Sequence, residues 1–262
     1  MSDFEKIVRD IVFDSPVEEI SLVYDNLQVL SDGESKQQIV SIIQDFNEKY
    51  RVPVTSGKDR YIVSEYNKSG SKYYDPLNKV IFSVDHITRE VSDLKDYTDA
   101  DSTDEQLKLA DQLSTYVSKF FPDTAAYNVF KIPDSDKLTV VIVSNKKSLG
   151  DFWTGYWLSE YIYDVKEGTI TGDISVDAHY FEDGNVRFKS SAALKPTNTD
   201  SPVVDIKQFE KQFENNLIEK FQYMNATQFK GLRRRLPVTR AKINWGQGIG
   251  NYRLGRDAAQ DA

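Results

Sequence analysis

Three patterns in this chain of 262 residues predict an α+β fold. Apolar residues recur every three or four positions through the first 50, alternate residue by residue from Tyr127 to Leu194, and return to helical spacing from Ile206 to Leu232. The predicted architecture is an N-terminal antiparallel three-helix bundle, an antiparallel β-meander sheet covered by one long C-terminal helix, and a mobile amphipathic tail. The predicted divisions are residues 1–50 for the bundle, 51–125 for a region of short strands and a helix, 126–195 for the sheet, 199–236 for the long helix and 237–262 for the tail.

In the bundle, Phe4, Ile7, Val8, Ile11 and Val12 stand at helical spacing behind Ser2, a side chain able to cap the first turn. Ser15-Pro16 ends that helix and opens a second, which carries Val17, Ile20, Val23, Leu27 and Leu30. Ser31-Asp32-Gly33 breaks it, and Glu34 to Tyr50 restarts with Ile39, Ile42, Ile43 and Phe46 on one side. From Val52 the period shortens. Tyr61 to Ser64 and Val80 to Val84 read as strands, separated by polar Asn67 to Lys72 and by Asp75-Pro76. Asp93 to Glu105 is rich in acids and is expected to be loop, and Leu107, Ala110, Leu113, Val117 and Phe120 make one helix that stops before Pro122.

Turn clusters at Pro133 to Lys137, Asn145 to Gly150, Lys166 to Gly168 and Glu182 to Asn185 cut the alternating region into a meander. In its third strand Trp153, Trp157 and Tyr161 point one way, and Phe152, Tyr156, Leu158 and Ile162 the other. Aromatic groups on both sides require two covers; the long helix is one, and a partner is expected to be the other. That helix opens with Thr199-Asp200-Ser201 and Pro202, then steps through Ile206, Phe209, Phe213, Leu217, Phe221 and Met224. About 30 residues at ~1.5 Å each make a rod of roughly 45 Å.

Charge is distributed unevenly. Residues 229–262 hold eight cations, Lys230, Arg233, Arg234, Arg235, Arg240, Lys242, Arg253 and Arg256, against Asp257 and Asp261, a surplus of six. The whole chain carries −8, so the first 228 residues carry −14. A basic end on an acidic body marks a docking surface, and the interleaved Leu232, Leu236, Val238, Ile243 and Trp245 distinguish it from a solvated tail. Cations at a helix C-terminus also suit its dipole, worth about 0.3–1 kcal/mol per exposed site.

The tail holds Trp245, Ile249 and Tyr252 on one side of a helical projection, with Ile243 and Leu254 opposite. Gly246, Gly248 and Gly250 oppose that helix by about 2.5–3 kcal/mol, so the tail is expected to be mobile alone and to order on a surface.

Catalysis has little to draw on. His86 and His179 are the only histidines, there is no cysteine, and no spacing singles out metal ligands, a nucleophile or a cofactor loop. Glu182-Asp183-Gly184-Asn185 reads as a hairpin turn rather than a carboxylate pair. An acidic balance argues against general nucleic-acid binding, no apolar run reaches membrane-span length, and the acids near Met1 do not suit a signal peptide, so a cytosolic setting is expected.

Two stretches carry a family resemblance. Phe229-Lys230-Gly231-Leu232-Arg233-Arg234-Arg235-Leu236-Pro237-Val238-Thr239-Arg240, with Lys242, Ile243 and Trp245, resembles the C-terminal signature of the F-actin-capping protein alpha subunits. His179-Tyr180-Phe181-Glu182-Asp183-Gly184-Asn185-Val186 is similar to that family's internal signature, and Asp75-Pro76, Asn78-Lys79, Asp85-His86 and Phe152-Trp153 extend the likeness over nearly the whole chain. The resemblance implies a non-enzymatic subunit without cofactor or metal, in an obligate heterodimer with a beta subunit into which the sheet continues. It implies calcium-independent binding to the barbed end of actin filaments, which blocks gain and loss of subunits, and residence in the cytoplasm on cortical actin. Lys230, Arg233, Arg234, Arg240 and Lys242 would meet acidic actin surface, and Trp245, Ile249, Tyr252 and Leu254 would give the apolar part. Phosphoinositides would be regulators on the same residues. The tail departs from the family pattern in its additional glycines and in Tyr252 and Leu254, each displaced by one residue relative to Trp245. The rival from another class is a basic-tail module for acidic phospholipid or nucleic acid.

Overall fold

The computed structural model describes residues 3–97, 103–121, 125–182 and 185–228. It divides into two units, Met1–Lys207 and Gln208–Ala262; the described part of the second is the helical stretch to residue 228.

Three helices open the first unit: α1 Asp3–Asp14, α2 Ile20–Leu30 and α3 Lys36–Lys49. Ser15-Pro16 ends α1 as expected, but the chain then makes a 3-10 turn, Val17–Glu19, before α2 begins. Asp32 (φ 50°) and Gly33 (φ 77°) turn the chain after α2, where the Ser31 and Gly33 amides donate to the Leu27 and Gln28 carbonyls. Val8, Val12, Val17, Ile20, Leu27, Ile39, Ile42, Ile43 and Phe46 are buried together. Ile7, Ile11 and Leu30 of the predicted stripes are exposed.

Residues 53–96 form more strand than the sequence reading found. A hairpin pairs β1 Pro53–Ser56 with β2 Asp59–Ile62, so the strand expected at Tyr61 to Ser64 begins earlier and stops at Ile62. A second, antiparallel sheet has the order β3 Lys68–Ser69, β4 Lys72–Asp75, β5 Val80–Val84, β6 Val91–Asp96. Two expectations are corrected here. Polar Asn67 to Lys72 contains strand residues, and Asp93 to Asp96 belongs to β6, an edge strand whose outward positions tolerate charge. Asp104 and Glu105 are the first turn of α4 Asp104–Phe120, capped by the Thr103 hydroxyl accepting from the Gln106 amide. Asp75 and Asp85 each accept two backbone amides, from Leu77 and Asn78 and from Ile87 and Thr88, which fixes the turns after β4 and β5.

The five-stranded meander runs in the order β11-β10-β9-β8-β7. Its strands are β7 Ala125–Lys131, β8 Lys137–Ser148, β9 Trp153–Asp164, β10 Thr169–Tyr180 and β11 Val186–Asn198. Three of the four turns fall where turn residues cluster; the other is shorter than expected, because β8 continues through Asn145 to Ser148. Phe152 lies in that turn at φ 54° rather than in the strand. Asp183 and Gly184 lie outside the described residues.

One face of the sheet meets the bundle. Ala126, Phe130, Val141, Val143 and Tyr156 share a core with the helices, and the Tyr156 hydroxyl donates to the Tyr50 carbonyl at 2.6 Å. Arg51, at φ 54°, pairs with Glu160 at 2.7 Å and lies over the Tyr66 ring, while the Tyr66 hydroxyl donates to Glu160 at 2.6 Å. Burial, reinforced by that bond to the carboxylate, pushes the Tyr66 hydroxyl up to about 12. On the other face Trp157 meets Phe121, just past α4, edge to face. The aromatic groups of β9 therefore find cover on both faces within the chain, which corrects the inference of a partner from β9.

Candidate functional site

All nine predicted site residues, Lys230, Arg233, Arg234, Arg240, Lys242, Trp245, Ile249, Tyr252 and Leu254, lie outside the described residues. What is described is the element that leads to them. Helix α5, Pro202–Tyr223, is 22 residues long, about 33 Å at ~1.5 Å per residue, and continues as a π-helical segment, Met224–Gln228. The Ser201 carbonyl accepts from the Val204 amide at 2.9 Å, starting the helix with Pro202 at a position that needs no amide. Ile206 is fully buried, and the Lys207 ammonium stands 5.3 Å from the centre of the Phe120 ring.

The second signature stretch has a structural explanation. His179, on β10, is nearly buried, with Nδ1 2.6 Å from Glu19 and Nε2 2.5 Å from Asn185. The Thr154 hydroxyl donates to the same Glu19 carboxylate at 3.0 Å. These contacts bind the 3-10 turn before α2 to the β9–β10 end of the sheet. His86 is held differently: its carbonyl accepts from Asn47 at 2.8 Å, and its ring lies edge-on to Tyr73 at 5.8 Å. Burial holds its imidazole below the usual histidine value. Both histidines are thus engaged in joining elements, and among the described residues no group of three or more His, Cys, Asp or Glu is placed to hold a metal ion. No described helix is long and apolar enough to cross a membrane.

A further surface escapes sequence reasoning. Strand β11 pairs with β10 along one side, and among the described residues no strand pairs with its other side. None of its thirteen residues is buried. The available signal is the alternation of Arg187, Lys189, Ser191 and Ala193 with Val186, Phe188, Ser190, Ala192 and Leu194, which lacks the strongly apolar face of β8.

Comparison with known families gives one match over residues 8–257, to the F-actin capping protein alpha subunit. The chain belongs to that family. Among curated capping protein alpha subunits it is 77% identical to that of Kluyveromyces lactis over the full length of both chains. It is 43% identical to that of Saccharomyces cerevisiae, covering 99% of this chain and 98% of the relative. A solved structure, described as the homodimeric actin capping protein alpha subunit from Plasmodium berghei, superposes with a TM-score of 0.71 at 21% identity, covering 90% of this chain and 97% of the other. At that identity the likeness speaks for the fold of a capping protein alpha subunit, with its helical N-terminus, meander and long helix.

Proposed function

We propose that this chain is the alpha subunit of a heterodimer that caps the barbed end of actin filaments, without chemistry and without calcium, and that its basic terminus is the gripping part. The observation that carries the reading is the reversal of charge: an acidic body of −14 ends in a stretch of +6 that bears the family's C-terminal signature. Lys230, Arg233, Arg234, Arg240 and Lys242 steer and orient the approach to acidic actin. Trp245, Ile249, Tyr252 and Leu254 supply the apolar contact that slows departure. Occupation of the end stops both growth and loss. The site of action is the cytoplasmic cortical actin network, and phosphoinositides compete for the same arginines.

The test is charge reversal at Arg234 and Arg240 together in the co-purified heterodimer. Barbed-end elongation should require about 100-fold more of the variant for equal inhibition, a loss of about 2.7 kcal/mol, with the heterodimer intact. Undiminished capping would remove the assignment of these residues. If vesicles containing phosphoinositide or an oligonucleotide bind the wild-type protein while filament growth is untouched, the basic-tail module replaces the capping reading.

A further inference from the structure

The unpaired side of β11 is not uniform along its length. Its register with β10 runs unbroken from Tyr180↔Val186 to Gly172↔Leu194 and then slips, resuming at Ile170↔Thr197. Thr171 alone faces both Lys195 and Pro196, so the strand bulges there. The Thr171 hydroxyl donates to the Leu194 carbonyl at 3.0 Å, and the Thr197 hydroxyl to the Lys195 carbonyl at 2.9 Å. Pro196 has no amide proton to offer a neighbour, and Lys195 is exposed. A bulge, a proline and a lysine on an edge are each obstacles to strand addition. Val186–Leu194 has no bulge and no proline, and its one lysine, Lys189, is drawn toward Asp14. In a regular antiparallel strand every second residue turns its N–H and C=O away from the neighbour it already has, so this segment presents a ladder only another strand can complete.

We infer that β11 accepts one extended strand of the beta subunit along Val186–Leu194, and that the Lys195–Pro196 bulge is the stop that ends the pairing and sets its register. The inference rests on the heterodimer reading above. Charge favours a strand of different sequence over a second copy of this chain. Val186–Leu194 contains Arg187 and Lys189 on one face and no acid. Arg187 is already matched by Asp177, and Lys189 stands 3.5 Å from Asp14. Two copies paired here would gather four cations on one face, and neither strand would bring a carboxylate to meet them.

Amide hydrogen exchange on the co-expressed, co-purified heterodimer tests this. Amides of residues 187–194, including the alternate ones that face away from β10, should exchange at least about 100-fold more slowly than those of Lys195, Thr197 and Asn198. Ala192→Pro should prevent co-purification of the second chain, and Thr197→Pro should not. Slow exchange continuing to Asn198 overturns the stop. Rapid exchange of the alternate amides in 187–194, with the second chain still present, overturns the docking edge and leaves the heterodimer standing. If no second chain co-purifies, the heterodimer reading itself fails; if the chain alone then has twice its mass and the same protection, the occupant is a second copy.

Discussion

At one edge of the five-stranded sheet, Ala126, Asn128, Val129 and Phe130 of β7 are buried, and Gln106 of α4 donates to the Val129 carbonyl at 2.8 Å. At the other edge, β11 keeps every position at least partly exposed from Val186 to Asn198. The sheet is one ladder, so the contrast comes from the chain segment that adjoins each edge. Helix α4 immediately precedes β7 and folds back over it, whereas β11 leaves toward α5 with no described strand on its outer side. A sheet finished by its own chain at one edge and left open at the other has stability invested in the first and partner choice in the second.

That division predicts a double dissociation. Leu113 is fully buried on α4, and Leu113→Ala should cost about 2–5 kcal/mol, lowering the melting temperature of the heterodimer while its dissociation constant stays unchanged. Phe188→Ala on β11 should weaken the heterodimer about 10–100-fold, read by native mass on dilution, with a smaller change in melting. Equal effects of the two variants on both measurements would erase the distinction between the edges.

A smaller effect is expected where the two halves of the comparison meet. Gly172 sits beside the register slip, and a Cβ there would lie 2.2 Å from the Glu160 carbonyl oxygen and 2.6 Å from the Tyr161 ring. Backbone cannot give way cheaply, so Gly172→Ala should destabilise the protein by about 1–3 kcal/mol. If the bulge is the register stop, this variant should also raise exchange at residues 194–197 before it affects β7. Wild-type melting and unchanged exchange would show that the slip tolerates a side chain.

Much of this contrast can be read from residue order, for identifiable reasons. Helices α1 to α4 announce themselves through apolar spacing backed by Pro16, Gly33, Thr103 and Pro122. Strands β8 to β10 do so through alternation between turn clusters. Strands β1, β3, β4 and β6 escape such a reading because two to six residues carry too few periods, and because β6 has three of its six positions charged. Phe152 reads as strand because of its aromatic neighbours, although its backbone turns with positive φ. Arg51 shows the same limit: nothing local distinguishes a buried arginine whose partners Glu160 and Tyr66 are distant in sequence. The basic terminus is legible through charge and signature alone, since sequence periodicity does not give its contacts. The open β11 edge is not legible, because exposure of an edge depends on which strand is absent.

Acid provides the finest separation of the closed side from the open one. Where α3 meets the small sheet, Glu48 accepts from the Tyr73 hydroxyl at 2.6 Å and pairs with Lys68 at 2.7 Å. Burial works to raise its carboxyl, but the bonds from Lys68, Tyr73 and Gln44 outweigh that and hold it below the ordinary value. His86, beside them, is lowered by burial, with the nearby Glu48 and Asp85 charges opposing. A histidine lowered in the folded state contributes its full stability above the ordinary value of 6.5, where both states are neutral. As pH falls below 6.5 the unfolded chain takes up a proton that the folded chain refuses, and stability declines until the folded pKa is passed. The slope cannot exceed about 1.4 kcal/mol per pH unit for one group. Glu48 adds its loss only lower, beginning beneath its ordinary 4.5. The urea midpoint of the heterodimer should therefore drop by an amount worth under about 1 kcal/mol between roughly pH 7.5 and 5.5, and His86→Gln should flatten that drop. Affinity between the chains should not follow the same titration, because His86 lies in the small sheet's turn after β5 and not on β11. If the heterodimer instead dissociates with the His86 profile while the urea midpoint holds, the open edge is coupled to the closed side and the two cannot be assigned separate tasks.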